Sequence, residues 1–305
     1  MRYIHNTKIV EIFCNIDDFC KVFKPWIAKQ NFKPPFQAKP INSKLTESEV
    51  MTILIFFHYS GYRCFKHYYQ HCMAKHFKDC FPDLVAYNRF LELLPPMAPY
   101  FFGYTNLWAQ GTHTQQYYID SSHLPVCHNK RIDSHKVFKN LATRSKTSMG
   151  WFFGLKLPIV VNHLGEIMAS TVTTGKKCDH NPALFTQLTQ SLQGNLAADK
   201  GYISQKAVEH FLKAGVKLIT AARRNMKKYL ISCQDFLHLK GRPIIEKVIG
   251  WLKNVASIWP TRHRIPVNAL VHLWAGVGAY IPADPMRKIE NRESQTMLYN
   301  CVFTG

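Results

Sequence analysis

Hydrophobic positions along the chain follow two different rhythms, one before about residue 100 and one after about residue 115. Thr46-Glu47-Ser48-Glu49 has the form of a capping box, in which a threonine and a glutamate satisfy each other's free backbone amides at a helix start. Val50, Ile53, Leu54 and Phe57 follow at helical spacing and predict a helix that buries this face. Gly61 ends it. A second helix is expected through Phe65, Tyr68, Tyr69 and Met73, and a third from Tyr87 to Leu94. Residues 1–45 mix short apolar stretches with Pro25, Pro34, Pro35 and Pro40 and read as ending in a loop. Pro95, Pro96 and Pro99 then break the chain and mark a domain boundary.

Beyond that boundary the spacing shortens to that of strands. Tyr117-Tyr118-Ile119 predicts a short strand ending at Asp120, and 154–162 a second, rich in Leu, Ile and Val. His163-Leu164-Gly165-Glu166 reads as a tight turn, and Ile167 to Thr174 returns as a third strand. Asn181-Pro182 opens a helix bearing Leu184, Phe185, Leu188 and Leu192, which Gly194 stops. Leu196-Ala197-Ala198 is a buried strand running into Asp199. A helix over 204–214 and a strand over 216–220 follow, then a last helix with Ile244, Ile245, Val248, Ile249 and Leu252 on its apolar face. This order predicts an α/β fold. The expected layout is a helical domain over 1–110, an α/β domain over 111–281 and a loose tail over 282–305.

Composition narrows the class of partner. The 305 residues carry 39 Lys+Arg against 19 Asp+Glu, a net charge of +20, and 47% apolar residues, enough for a packed core. Self-repulsion at this charge opposes compactness, so a polyanion such as a nucleic acid is the expected partner. Nine cysteines, an odd number with no C-x-x-C spacing, do not suggest a disulfide framework. No apolar run is long enough for a membrane span and no signal-peptide core opens the chain, so a cytoplasmic protein is expected. The three predicted N-terminal helices suit a helix-turn-helix-like DNA reader and a plain bundle equally.

With so few acidic side chains, each can be weighed. Glu166 sits in the turn, where solvation accounts for it; Asp179 precedes a helix as a cap; Glu209 lies on a polar helix face; Asp235 is in a polar loop. Asp133 stands among Lys130, Arg131 and Lys136, where a local ion pair explains it. Asp120, Asp199 and Glu246 remain. The first two directly follow buried strands, where an unpaired carboxylate is costly without a metal or cationic partner. Glu246 shares a polar helix stripe with Arg242, Gly250 and Lys253.

Three blocks then form a recognisable set: Tyr118-Ile119-Asp120-Ser121, Ala198-Asp199-Lys200-Gly201-Tyr202, and Arg242-x3-Glu246-x6-Lys253. The chain resembles bacterial DDE-type insertion-sequence transposases, with the insertion sequence 982 family as the nearest branch. Gly61-Tyr62-Arg63, Tyr87-Asn88-Arg89-Phe90 and Arg223-Arg224-Asn225-Met226-Lys227 support the resemblance, which runs over about residues 45 to 281. Leu239 departs from it, standing where related transposases often carry a tyrosine, and the tail after Ile281 matches nothing in it.

The resemblance implies a ribonuclease-H-like catalytic domain, a mixed sheet with flanking helices, whose acidic triad Asp120, Asp199 and Glu246 binds two divalent ions. Hard oxygen ligands suit Mg²⁺ or Mn²⁺. The implied reaction nicks the ends of an element in double-stranded DNA and joins the 3′-hydroxyls to target DNA, with a homodimer holding the two ends. No covalent intermediate is needed, so Ser121 and Ser122 receive no nucleophilic role. Lys200, Arg242 and Lys253 are candidates to hold phosphate, although Arg242 fits an ion pair with Glu246 as well. The basic stretch 130–156, including Lys130, Arg131 and Lys136, and the cluster Arg223, Arg224, Lys227 and Lys228 are candidate DNA backbone tracks. Trp251 suits stacking on a base or simple burial. His67, His71, Cys72, His76 and Cys80 match no zinc spacing. A structure-selective nuclease with the same site, and a binding-only remnant of a transposase, are the alternative readings.

Overall fold

The computed structural model of the chain describes residues 2–30, 43–147, 150–176, 181–199, 211–212, 215–221, 232–259 and 263–283. Its described helices are α1 (Arg2–Lys29), α2 (Glu47–Tyr59), α3 (65–76), α4 (Tyr87–Leu93), α5 (Ala98–Gly103), α6 (Pro182–Thr189), α7 (Cys233–Lys240), α8 (Pro243–Asn254) and α9 (Pro266–Ala283). Its strands are β1 (Gln116–Cys127), β2 (Thr143–Thr147), β3 (Gly150–Asn162), β4 (Ile167–Ser170), β5 (Thr173–Thr174), β6 (Gly194–Ala198) and β7 (Val216–Thr220). The chain folds as two compact units, Met1–Ala109 with Leu252–Gly305, and Gln110–Trp251.

The first unit is helical. The capping box forms as the sequence predicts: Thr46 N donates to Glu49 Oε2 at 2.7 Å and Glu49 N to Thr46 Oγ1 at 3.2 Å. The long helix α1 is a correction, because residues 1–45 read as broken stretches. Ile9, Ile12, Ile16, Phe19 and Phe23 recur every three or four residues and are all buried, and Pro25 lies too near the end of the helix to interrupt them. Ser48 Oγ donates to Asp17 Oδ1 at 2.8 Å, joining α1 to the start of α2. In the middle of α3, Tyr68–Met73 is π-helical.

α9 also corrects the expected layout. The sequence reading placed residues up to 281 in the α/β domain, yet α9 belongs with the helices and lies against α2. It is apolar around its whole circumference, so it must be covered on several sides at once. Gly276 permits the approach, since a Cβ there would collide with Ile258 Cγ2. Residues 284–305, read as a loose tail, and the expected helix residues 204–210 lie outside the described residues.

Among the described residues, the second unit is built on a 7-stranded mixed sheet of order β2-β3-β1-β6-β7, with β4 and β5 also paired to β3. β1 and β3 run antiparallel, from Tyr117↔Asn162 to Cys127↔Phe153, while β6 is parallel to both β1 and β7. Tyr117 and Ile119 of β1 and Leu196 and Ala198 of β6 form one core with Leu184, Phe185 and Leu188 of α6. Asn181 caps α6, its Oδ1 accepting from Ala183 N at 3.0 Å. β1 is longer than predicted, so Asp120 lies within it rather than at its end. The polar run Ser121-Ser122-His123 hid the continuation, which antiparallel pairing with β3 sustains through residue 127. At Gly154 the two strands are so close that a Cβ would run into the Leu124 carbonyl oxygen.

Glu166 is a further correction. The turn itself forms, with Gly165 at φ 85°, but the Glu166 carboxylate is buried rather than solvated. Its Oε2 accepts from Thr112 N and from Asn162 Nδ2, each at 2.7 Å. Asn162 Oδ1 accepts in turn from Leu164 N and Glu166 N, at 3.0 and 2.9 Å. The turn is therefore held from within, as a buried charge requires. Asp235, assigned to a loop, lies in the first turn of α7 and pairs with Lys217 at 2.9 Å.

His58, His263 and His272 cluster within the helical unit, His58 and His272 with ring centroids 5.4 Å apart and His263 and His272 4.6 Å apart. His58 Nδ1 donates to Ala256 O at 2.6 Å, and Phe57 and Phe65 meet His272 edge-on. Burial pushes His58 and His263 down to about 4 and His272 well below its usual value. The folded state therefore holds these rings neutral, while the unfolded chain protonates them near pH 6.5. Their contribution to stability is complete above about pH 6.5 and declines as pH falls towards 4. Urea unfolding midpoints are expected to drop between pH 7.5 and pH 5, and the drop to shrink in His272→Phe. An equal drop in both proteins contradicts this account.

Candidate functional site

The site follows from the register of two strands. β1 and β6 are parallel neighbours with Tyr117 level with Leu196 and Tyr118 level with Ala197. Side chains alternate across a strand, and Tyr117, Ile119, Leu196 and Ala198 point into the core with α6. Tyr118, Asp120 and Ala197 therefore take the opposite face. The paired stretch ends at Tyr118 and Ala197, so Asp120 and Asp199 each follow it by two residues on neighbouring segments of chain. Asp120 is half-buried, its Oδ1 accepting from Ser121 N at 2.8 Å, whereas Asp199 is exposed just beyond its strand.

The corner between α7 and α8 closes over this face. The Tyr118 and His238 rings stack with centroids 4.8 Å apart, and His238 Nε2 donates to Tyr117 O at 3.2 Å. Burial lowers the His238 pKa, which suits a neutral ring in this place. Gly241 fits against the same tyrosine, where a Cβ would collide with Tyr118 Oη. The next residue, Arg242, reaches back to the strand and pairs with Asp199, Nη1 to Oδ1, at 3.4 Å. Of the two readings the sequence left open for Arg242, an ion pair with Glu246 is not seen among the described residues; the guanidinium pairs with Asp199 instead. Its Nε is buried with no partner among the described residues.

Glu246 is exposed in the first turn of α8, four residues beyond Arg242 and hence on the same side of the helix. The predicted apolar face of this helix is present, with Ile245, Val248 and Leu252 buried. So one of the three acids singled out in the sequence lies in β1, one just beyond β6 and one in α8, and Arg242 pairs with the second of them. The carboxylates do not form a ready cage. Among the described residues, no three His, Cys, Asp or Glu side chains stand close enough to share a metal ion, which covers both this set and the histidines and cysteines of α3.

The predicted basic residues are distributed as follows. Lys130 and Arg131 are exposed in the short turn Asn129–Arg131, and Lys136 is exposed soon after it. Lys253 is half-buried, with its ammonium 5.3 Å from the Trp259 ring centroid, and Trp251 is half-buried too. Lys200, Arg223, Arg224, Lys227 and Lys228 lie outside the described residues, as do Asp179 and Glu209. Sequence reasoning missed the clamp of Tyr118, His238 and Gly241. Its one visible signal was a glycine beside Arg242, between two helical stretches.

The family model of the transposase DDE domain matches residues 110–266, more than half of the chain. The chain belongs to the DDE transposases. Its function is accordingly that of a DNA transposase, and it is an enzyme. This transposase is also similar in fold to a solved piggyBac transposase, in a synaptic complex with hairpin DNA. The TM-score is 0.50 at 10% identity, and the match covers 96% of this chain and 77% of that one. Among curated proteins none matches the transposase. No described helix is long and apolar enough to cross a membrane.

Two glycines near the site separate packing from space. In Gly241→Ala the new methyl collides with a tyrosine that cannot swing away, because its ring is stacked on His238, and a loss of about 1–3 kcal/mol is expected. Gly250, on the same stripe of α8 as Glu246, has nothing within 4 Å of the added Cβ. Gly250→Ala is expected to gain about 0.5–1 kcal/mol from helix propensity alone. Chemical denaturation of the two variants checks both signs.

Proposed function

We propose that this transposase nicks the ends of its element and joins the freed 3′-hydroxyls to target DNA, with Asp120, Asp199 and Glu246 as the catalytic acids. The observation that supports the reading is the parallel pairing of the two strands that lead to Asp120 and Asp199, with Arg242, just before the Glu246 helix, paired with Asp199. A sheet in which β1 is antiparallel to β3 but parallel to β6 supports assigning the unit to the ribonuclease-H-like class.

The donor set is all hard carboxylate oxygen, which fits two Mg²⁺ or Mn²⁺ ions and excludes the soft thiolate sites favoured by zinc. When bound, such ions activate the attacking oxygen and stabilise the leaving oxygen of an in-line displacement. Asp120 and Asp199 hold them from the sheet and Glu246 from α8. Arg242 then exchanges Asp199 for a DNA phosphate, which satisfies its free Nε as well. Lys200 and Lys253 hold the strand near the acids, while Arg223, Arg224, Lys227 and Lys228, with Lys130, Arg131 and Lys136, follow the backbone. The double-stranded ends and target are held by a homodimer on the bacterial nucleoid, in keeping with the resemblance to the insertion sequence 982 family.

The test uses DNA carrying the element's own ends, Mg²⁺, and the wild-type and Asp199→Ala proteins. The wild type is expected to nick and join; Asp199→Ala is expected to fall to background on both steps while binding DNA with unchanged affinity. Equal cleavage by the two proteins removes Asp199 from the site. Nicking without any joined product favours a nuclease.

A further inference from the structure

The basic stretch between β1 and β3 contains a feature that the acidic site does not use. Trp151, the second residue of β3, is 53% exposed, although an indole is among the costliest side chains to leave in water. It is not isolated. Lys146 sits directly opposite it in the β2–β3 ladder, and Arg144 lies two residues away on the same face of β2. Both cations stand over its ring, Arg144 Cζ 5.3 Å and Lys146 Nζ 6.0 Å from the centroid. Asn129 Nδ2 donates to Trp151 O at 2.6 Å, which fastens the exposed turn bearing Lys130 and Arg131 beside the same residue. Two cations thus stand over one exposed aromatic ring, and the turn bearing two more is tied to the backbone of the same residue.

We infer that Trp151 is a stacking platform for an unpaired DNA base, with Lys130, Arg131, Arg144 and Lys146 holding the phosphates on either side. An aromatic face flanked by cations is the surface that single-stranded nucleic acid requires, since every base has a π-face to stack and every nucleotide a charge to neutralise. Duplex DNA offers its phosphates to the same cations but keeps its bases stacked on each other. The platform is separate from the acids. Asp120 is level with Ile159 on β3, and Trp151 lies eight residues earlier, up to about 26 Å along the strand. At about 3.4 Å per nucleotide step, it reaches DNA roughly seven or eight nucleotides from the phosphate at the acids. The platform rests on the reading of this chain as a DNA-acting enzyme and adds that part of its DNA is unpaired when bound.

The test compares equilibrium binding of a fluorescent oligothymidylate and of a blunt duplex of equal length, using the full chain. Trp151→Ala is expected to weaken single-strand binding roughly 5- to 100-fold and duplex binding by less than about 2-fold. Trp151→Phe is expected to retain most single-strand affinity. Arg144→Ala with Lys146→Ala is expected to weaken both and to flatten the salt dependence by about two charges. Because Trp151 is exposed, thermal midpoints of the variants are expected to match the wild type. Unchanged single-strand binding in Trp151→Ala overturns the platform, and so does an equal loss on both DNAs. Either result leaves the Asp199 cleavage test untouched. A wild-type protein that binds neither DNA overturns the DNA-acting reading itself.

Discussion

The parallel pairing of β1 with β6 is the constraint on which the rest of the second unit depends. Tyr117-Tyr118-Ile119 and Leu196-Ala197-Ala198 are buried on both faces, so their amides and carbonyls have no water to turn to and must be satisfied within the sheet. The face towards α6 takes Tyr117, Ile119, Leu196 and Ala198, which fixes the register. A slip of one residue on either strand would turn an aspartate into that core and an aromatic or alanine out of it. The neighbouring exits of the chain at Asp120 and Asp199 are therefore a by-product of hydrophobic packing on the α6 side of the sheet.

The other face depends on how closely a helix corner can settle. Tyr118 fills the space beneath α7 and α8, His238 stacks on its ring, and only glycine at position 241 leaves room for the hydroxyl. This contact brings Arg242 to Asp199 at the start of α8, the helix that carries Glu246 in its first turn. The molecule uses its few carboxylates in contrasting ways. Glu166 is buried and saturated by Thr112 and Asn162, so it fixes a turn. Asp199 is exposed and, among the described residues, paired with Arg242 across a long ion pair, which an incoming cation displaces at little cost.

Charge is distributed with the same economy. A surplus of +20 would disfavour a compact chain on its own. At the β2–β3 hairpin, part of that surplus is concentrated around an exposed indole, where the rings and cations support each other. In the helical unit His58, His263 and His272 are kept neutral by burial, and His272 packs as an aromatic ring against Phe57 and Phe65.

The sequence by itself determined the elements whose cause is local. The capping box at Thr46, the asparagine cap of α6, the turn at Gly165, the β6 strand and the apolar face of α8 all depend on residues within a few positions of each other. It also narrowed the candidate site to Asp120, Asp199 and Glu246, because acids expected after buried strands or on a helix stripe are few in so basic a chain. What it left undecided depends on partners distant in the chain. The full length of β1 is set by pairing with β3, and the burial of Glu166 by Thr112 and Asn162. The place of α9 is set by the helices that must cover all its sides. The partner of Arg242 is Asp199, 43 residues away, rather than Glu246 one turn along. Trp151 was passed over for the same reason: in sequence it is one aromatic among basic residues, and only the ladder with β2 brings the cations to its ring. Local chemistry fixes which segments form, but only tertiary packing decides which side chains meet.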